Sequence, residues 1–168
     1  MSRVARLRAS ALSLYDQYGE PVKPFVHRLF LERGIGFIRR TGLKVVELSR
    51  GKAVLRMPLK GNTNHIGTMY AGALFTLAEV PGGALFFSSF DTKRYYPIVT
   101  EMTIRYLKPA KGAITAEVNM AEDEIIRLQD LADREGKAKF ELEAELRDAA
   151  GQVVAISKGQ YQLRRRDQ

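Results

Sequence analysis

Residues 64–79 read NHIGTMYAGALFTLAE and join a polar turn to the start of a long apolar segment. The turn, Lys60–Gly67, is rich in Gly and Asn, which is typical of a loop. From Met69 to Phe90 the chain is apolar on nearly all sides, which predicts a helix that is buried all round. Pro81–Gly82–Gly83 are expected to kink this helix or to end its first half. Glu79 is the one acidic residue between Lys60 and Phe90.

Short strands surround this helix. The predicted strands are Leu43–Ser49, Ala53–Leu59, Pro97–Leu107, Ala113–Met120, Lys137–Arg147 and Val153–Leu163. Ala121–Arg134 is predicted to form an amphipathic helix, and residues 3–18 and Pro24–Arg40 two N-terminal helices. Strands with one solvent face and short turns favour an antiparallel sheet, and a sheet that wraps one apolar helix buries both elements. The sequence therefore predicts an α+β fold over residues 41–168, with residues 1–40 as an N-terminal helical extension.

Alternation assigns the faces of two strands. In Lys137–Arg147, apolar side chains alternate with charged ones without a break. In Pro97–Leu107 the same reasoning places one set of side chains on a single face: Ile98, Thr100, Met102, Ile104 and Tyr106. Both patterns have the period of two that is typical of a strand with one buried face.

Composition excludes several kinds of chemistry. The 168 residues include no Cys and two His, so Cys nucleophiles, Cys-ligated zinc and a three-His metal site within one chain are excluded. No Gly-x-Ser-x-Gly, P-loop or dinucleotide fingerprint is present. The formal net charge is +8, and residues 1–60 carry thirteen Lys and Arg against four Asp and Glu. Such an excess favours an anionic partner, although a solvated basic face explains it equally well.

The motif and the order of elements resemble the hotdog-fold thioesterases, in particular the PaaI-like and YiiD C-terminal-like (DUF4442) branch. Residues 64–79 match Asn-x-x-Gly-Thr-x-(His or similar)-Gly-Gly followed by an apolar helix with an acid near its middle. Residues 100–110, TEMTIRYLKPA, match a central strand that ends in Tyr-x-x-Pro-Ala. The resemblance covers about residues 40–165. Two positions depart from it: Tyr70-Ala71-Gly72 stands where many members have His-Gly-Gly, and Glu79 where many have Asp.

The resemblance implies an antiparallel sheet around one helix, and hydrolysis of an acyl-CoA or related acyl thioester without a metal or separate cofactor. Coenzyme A would enter as part of the substrate. Glu79 would be the base or nucleophile, with Asn64, Thr100 and the backbone amides of Ala71 and Gly72 assisting. Substrate-binding candidates are His65, Gly67, Tyr70, Thr103 and Lys108. Arg39, Arg40, Lys93 and Arg94 join Lys108 as candidates for contacts with the coenzyme A phosphates.

Spacing along the helix bears on assembly. Glu79 follows Gly72 by seven residues, or about 10 Å along a helix axis. This distance is too long for one chain to place both groups on one thioester carbon. The family pairs subunits so that the helix start of one meets the acid of the other, which implies a homodimer or a dimer of dimers.

Other interpretations of the same residues stay open. Glu79 could be the partner of an arginine such as Arg105, Asn64 a turn residue, and His65 an ordinary loop side chain. The chain could be a non-catalytic module that binds or senses acyl-CoA, which the Tyr70-Ala71 departure favours. Binding of nucleic acid through the basic N-terminal helices is a weaker hypothesis, because aromatic stacking residues are not clustered there.

Targeting signals are not evident in the sequence. The N-terminus is basic but lacks the continuous apolar stretch of a signal peptide. The apolar region Tyr70–Phe87 is interrupted by Glu79 and Pro81, and so falls short of a clean transmembrane helix. A cytoplasmic protein without a membrane span is therefore expected.

Overall fold

The computed structural model describes residues 23–166 and shows one six-stranded sheet with a long helix on its inner face. The helices are α1 (Lys23–Arg33), α2 (Gly36–Thr41), α3 (Ala71–Ser89) and α4 (Glu122–Glu135). The strands are β1 (Lys44–Ser49), β2 (Lys52–Met57), β3 (Tyr95–Tyr106), β4 (Ile114–Asn119), β5 (Lys137–Arg147) and β6 (Val153–Arg165). All pairings are antiparallel in the order β1-β2-β4-β5-β6-β3. The predicted α+β hotdog fold is confirmed.

Helix α3 forms the centre of the core. Twelve of its 19 residues are buried, and it contacts all six strands of the sheet. It continues through Pro81 to Ser89, so the expectation that its first half ends there is wrong. By length and apolarity, α3 would qualify as a membrane span. Its place inside the sheet accounts for that composition, because a helix surrounded by a sheet needs apolar side chains on most sides.

The predicted single helix over Pro24–Arg40 is two helices in the structure. Ile35, between α1 and α2, adopts extended backbone. The amide of Gly34 donates to the carbonyl of Phe30 at 2.7 Å, and a Cβ on Gly34 would lie 2.7 Å from Cδ2 of Phe30. The Phe30 ring is therefore folded over the glycine where the chain leaves α1. The other predicted N-terminal helix, residues 3–18, lies outside the described residues.

Strand β3 contains an irregularity that alternation did not predict. In its register with β6, Val99 pairs with Tyr161 and Glu101 with Gln160, so Thr100 is the extra residue of a β-bulge. A bulge places two residues opposite one and reverses the faces beyond it. Val99 therefore shares the helix-facing side with Met102, whereas Ile98 pairs with outward-facing Gln162. The predicted common face of Ile98 and Met102 is wrong for this reason.

Candidate functional site

The start of helix α3 offers two backbone amides without a partner in the described chain. Tyr70 is the N-cap residue, and its side chain makes no capping hydrogen bond. The amides of Ala73 and Leu74 donate to the Tyr70 carbonyl at 2.9 and 3.2 Å. Ala71 and Gly72 are in the first turn of the helix, so their amides have no carbonyl acceptor four residues earlier within it. Their N–H groups are at the positive end of the helix dipole, where negative charge is stabilised.

Two tyrosines flank this helix start. The Tyr106 hydroxyl donates to the Ala71 carbonyl at 3.1 Å. Burial, and to a smaller extent the neighbouring Tyr70, raises the pKa of Tyr106. A Cβ on Gly72 would lie 2.4 Å from Cε1 of Tyr70, so the Tyr70 ring packs directly on this glycine. A side chain at position 72 would displace the Tyr70 ring, so glycine there allows the ring to lie beside the free amides.

Glu79 lies in the middle of α3 on the side that the sheet leaves open. It is half-buried, and the residue one turn earlier on this side, Phe75, is 40% exposed. Burial raises the pKa of the Glu79 carboxyl group. Among residues 26–166, whose side chains the structure describes, no cation or hydrogen-bond donor pairs with this carboxylate. Glu79 therefore has no ion-pair role in the described chain.

Arg105, the suggested partner of Glu79, lies elsewhere. It pairs in register with Ile156 and lines a groove on the outer face of the sheet, opposite to α3. Thr103 lines the same groove. The strand alternates its side chains between two faces, so neither residue reaches Glu79 of its own chain. Arg105 is therefore not the ion-pair partner of Glu79 within one protomer, and a role of Thr103 in binding substrate stays a prediction.

Tyr161 is the side chain that packs most closely against the middle of α3. Its hydroxyl donates to the Glu79 carbonyl at 3.3 Å, and its ring stacks on Phe140 with centroids 5.4 Å apart. A Cβ on Gly82 or Gly159 would lie within 2.6 Å of the ring. Burial and the charge of Glu79 raise the pKa of Tyr161. Two glycines thus make room for a buried tyrosine beside Glu79.

The loop before α3 is organised by Asn64. Its Oδ1 accepts from the amides of Ile66 and Thr68 at 3.0 and 3.1 Å, and its Nδ2 donates to the Thr68 hydroxyl at 2.8 Å. Gly67 has a φ of 79° and donates to the Asn64 carbonyl at 3.2 Å. The side-chain amide of Asn64 is therefore engaged in shaping the loop, and it acts on the site through the position of the helix start.

The remaining candidates lie at the surface. His65 and Lys108 are exposed, and the Lys108 amide donates to Val154 at 3.1 Å. The Thr100 hydroxyl donates to the Gln160 carbonyl at 3.1 Å, which fixes the bulge. Arg94 is held by Asp133 at 2.7 Å. In the described part of the chain no three His, Asp or Glu are grouped to hold a metal ion.

The structure thus brings Ala71, Gly72 and Tyr70 together at one end of α3 and leaves Glu79 about two turns further along the helix. Sequence reasoning missed Tyr161, Gly82 and Gly159. A signal for the contact between Gly82 and Tyr161 was available in the sequence. Glycine in the interior of a helix is costly, so its presence at position 82 indicates that another group packs closely there.

These features define a class of protein: a single apolar helix wrapped by a six-stranded antiparallel sheet is the hotdog fold of the thioesterase superfamily. The chain belongs to the family described as domain of unknown function DUF4442, whose model matches residues 27–163. The match covers β1 to β5 and helices α2, α3 and α4 completely, together with most of α1 and of β6.

Individual relatives agree with this assignment. A Pseudomonas aeruginosa protein of unknown function, described as a "Probable Thioesterase", is 51% identical with a TM-score of 0.82, covering 84% of this chain and 95% of that one. A Shewanella oneidensis "putative thioesterase" shares the fold, with a TM-score of 0.71 at 23% identity, covering 84% and 97%. A Deinococcus radiodurans "Putative esterase" is 22% identical over 118 residues, 70% of this chain and 67% of that protein.

Proposed function

We propose that the protein hydrolyses an acyl-CoA or a closely related acyl thioester, with Glu79 as the general base. The carrying observation is the half-buried carboxylate of Glu79, which has no cationic partner among the side chains of residues 26–166. An ion pair would have lowered its pKa, whereas burial raises it. A carboxylate with a raised pKa accepts a proton from water more readily at neutral pH. The names of the relatives support the thioesterase class.

The reaction follows from these groups. Glu79 takes a proton from a water molecule while the water oxygen attacks the thioester carbonyl carbon. The carbonyl oxygen becomes an oxyanion, which the amides of Ala71 and Gly72 at the helix start of a second subunit stabilise. When the tetrahedral intermediate collapses, the C–S bond breaks and the thiolate receives the proton from Glu79. The products are a carboxylic acid and free thiol, and no metal or separate cofactor takes part in these steps.

The site is proposed to form between two subunits. Strand β3 is a twelve-residue edge strand, paired with β6 alone. Natural edge strands that stay unpaired are usually short, charged or covered. Within it the run Ile98-Val99-Thr100 is uncharged, and Ile98 and Val99 are 38% and 40% exposed. An antiparallel pairing of two β3 strands about a two-fold axis would cover this edge and bring Glu79 of one protomer towards the helix start of the other.

Turnover of a variant tests the proposal. Thiol release from a panel of acyl-CoA esters is measured for the parent, Glu79→Gln and Glu135→Gln, an exposed acid at the end of α4. Glu79→Gln keeps the size of the side chain but cannot accept the proton, so turnover should fall about 10²–10⁴-fold. Glu135→Gln should match the parent. A folded, dimeric Glu79→Gln protein with parental turnover would refute the role of Glu79.

A second candidate is a non-catalytic module that binds acyl-CoA. The observation that favours it is the Tyr70 ring packed on Gly72, because the ring narrows access to the free amides. Direct binding of acyl-CoA, measured by calorimetry on the same samples, separates the two candidates. Tight binding with no thiol release from any ester would favour the binding module.

The proposed cytoplasmic location can be checked by cell fractionation.

A further inference from the structure

Two adjacent glycines in the interior of α3 have different environments. A Cβ on Gly82 would lie 2.4 Å from Cζ of Tyr161, so this position has no room for a side chain. A Cβ on Gly83 would meet nothing within 4 Å. Neither glycine has the positive φ that side chains avoid. Packing explains Gly82, whereas neither packing nor backbone conformation in the described chain explains Gly83.

Gly83 follows Glu79 by one helical turn on the open side of α3. Residues four apart on a helix are neighbours on one face, and both are half-buried. Glycine in the middle of a helix is less stable than alanine. An unfavourable residue beside the candidate base, with empty space where its side chain would be, points to a volume that a ligand occupies.

The next residue on this side of α3, one turn further, is Phe87. Its ring packs against Phe30 and His27 of α1, with centroids 5.4 and 5.6 Å away. Phe86 contacts it from the same helix at 5.6 Å. These aromatic side chains form a wall at the end of the open space. Along the helix axis, Gly83 lies about 6 Å and Phe87 about 12 Å beyond Glu79.

We infer that Gly83 keeps open an apolar space for the acyl group beside Glu79, and that Phe87, supported by α1, limits the length of the acyl group. The inference rests on the proposed thioester substrate. It assigns to the protein apolar acyl groups that extend about 6–12 Å past the carbonyl carbon. Acetyl groups would leave the space empty, and long fatty acyl groups would meet the aromatic wall.

Binding of non-hydrolysable thioether analogues of acyl-CoA tests this assignment independently of catalysis. Dissociation constants are measured for acetyl, hexanoyl, decanoyl and palmitoyl analogues. Gly83→Leu should weaken binding of the hexanoyl and decanoyl analogues by roughly tenfold or more and leave the acetyl analogue unchanged, because apolar pockets discriminate by fit. Phe87→Ala should improve binding of the palmitoyl analogue. Gly36→Leu is the matched control, since a Cβ there also meets nothing within 4 Å.

Several results would overturn the inference. Equal weakening for all analogues, or none, would show that Gly83 does not border the acyl group. A monomeric Gly83→Leu protein beside a dimeric Gly36→Leu protein would make Gly83 an interface residue instead. If the analogues bind with the expected length dependence but the parent releases no thiol, the hydrolytic function fails and the pocket stands. If the parent hydrolyses thioesters and Gly83→Leu shows no length effect, only the assignment of the acyl pocket is refuted. If no analogue binds, the pocket and the proposed hydrolytic function are both refuted.

Discussion

At the scale of single residues, burial determines what Glu79 can do. Its carboxyl group is half-buried on an apolar helix, and desolvation penalises the charged form. Because no cation among the side chains of residues 26–166 offsets this penalty, its pKa is raised. The same environment that makes Glu79 a better base also makes its ionisation a cost to the folded state.

This cost predicts how stability depends on pH. The pKa of a glutamate carboxyl group is about 4.3 in the unfolded protein. Where folding raises this pKa, the folded state loses stability as the pH rises from the unfolded pKa to the folded pKa, because the buried group must ionise. Glu79→Gln should therefore be more stable than the parent at pH 7, and the difference should vanish near pH 4 and below. Thermal unfolding of both proteins at a series of pH values measures this difference in stability. A Glu79→Gln protein that is less stable by about 3–5 kcal/mol at pH 7 would instead indicate a broken buried ion pair.

Gly82 gives a second prediction at this scale. Gly82→Ala places a methyl group against the ring of Tyr161, which is already confined by Gly159 and stacked on Phe140. Overpacking of this kind costs about 1–3 kcal/mol, more than the gain in helix propensity, about 1 kcal/mol. Denaturant unfolding should show a net loss for Gly82→Ala and none for Gly36→Ala. A Gly82→Ala protein as stable as the parent would mean that Tyr161 can move away at little cost.

Among the elements, β3 is the edge strand that we propose as the dimer interface. Val99 on β3 and Val46 on β1 are exposed valines on the two opposite edge strands, at 40% and 55%. Val99→Lys would bury a charge in the proposed interface, which costs about 3–5 kcal/mol per unpaired charge. Light scattering should therefore show a monomer for Val99→Lys and a dimer for Val46→Lys. The reverse result would place the interface at β1.

The elements also show what the sequence could and could not predict. β5 was predicted with its observed bounds, because eleven residues alternate without a break between one buried and one exposed face. The common face predicted for Ile98 and Met102 on β3 was wrong, because a bulge at Thr100 changes the faces without changing the composition. The break between α1 and α2 depends on the fold of the Phe30 ring over Gly34. Such contacts arise from packing and leave little trace in a periodic pattern.

For the candidate site, the helix start and its free amides followed from the motif. The role of Asn64 in the loop was visible as one of two alternatives. The packing of Tyr161 beside Glu79 was not predictable, because the two residues are 82 positions apart. The place of Thr100 as the extra residue of a bulge left no trace in the alternation, so it too required the three-dimensional structure.

For the whole molecule, the proposed shared site predicts complementation between two inactive chains. Ala71→Pro removes one free amide, and proline suits the first position of a helix after an extended residue such as Tyr70. Its turnover should fall about 10²–10³-fold. In a mixed dimer with Glu79→Gln, one site would combine the intact helix start of one chain with the intact acid of the other.

Unfolding and refolding equal amounts of the two variants together should restore about a quarter of the parental activity, since half of the dimers are mixed and each has one intact site. The variants refolded separately serve as the control. No recovery in the mixture, with mixed dimers confirmed by mass, would mean that both groups act within one chain.

The place of β6 in the sheet has a consequence for synthesis on the ribosome. β6 is the last strand of the sequence, yet it lies between β5 and β3 in the sheet. β3 leaves the ribosome before its partner β6, and the apolar helix α3 stays uncovered on that side until β6 emerges. Nascent chains that stop before β6 should therefore expose α3 and the β3 edge together, which makes truncated products prone to aggregation and dependent on chaperones.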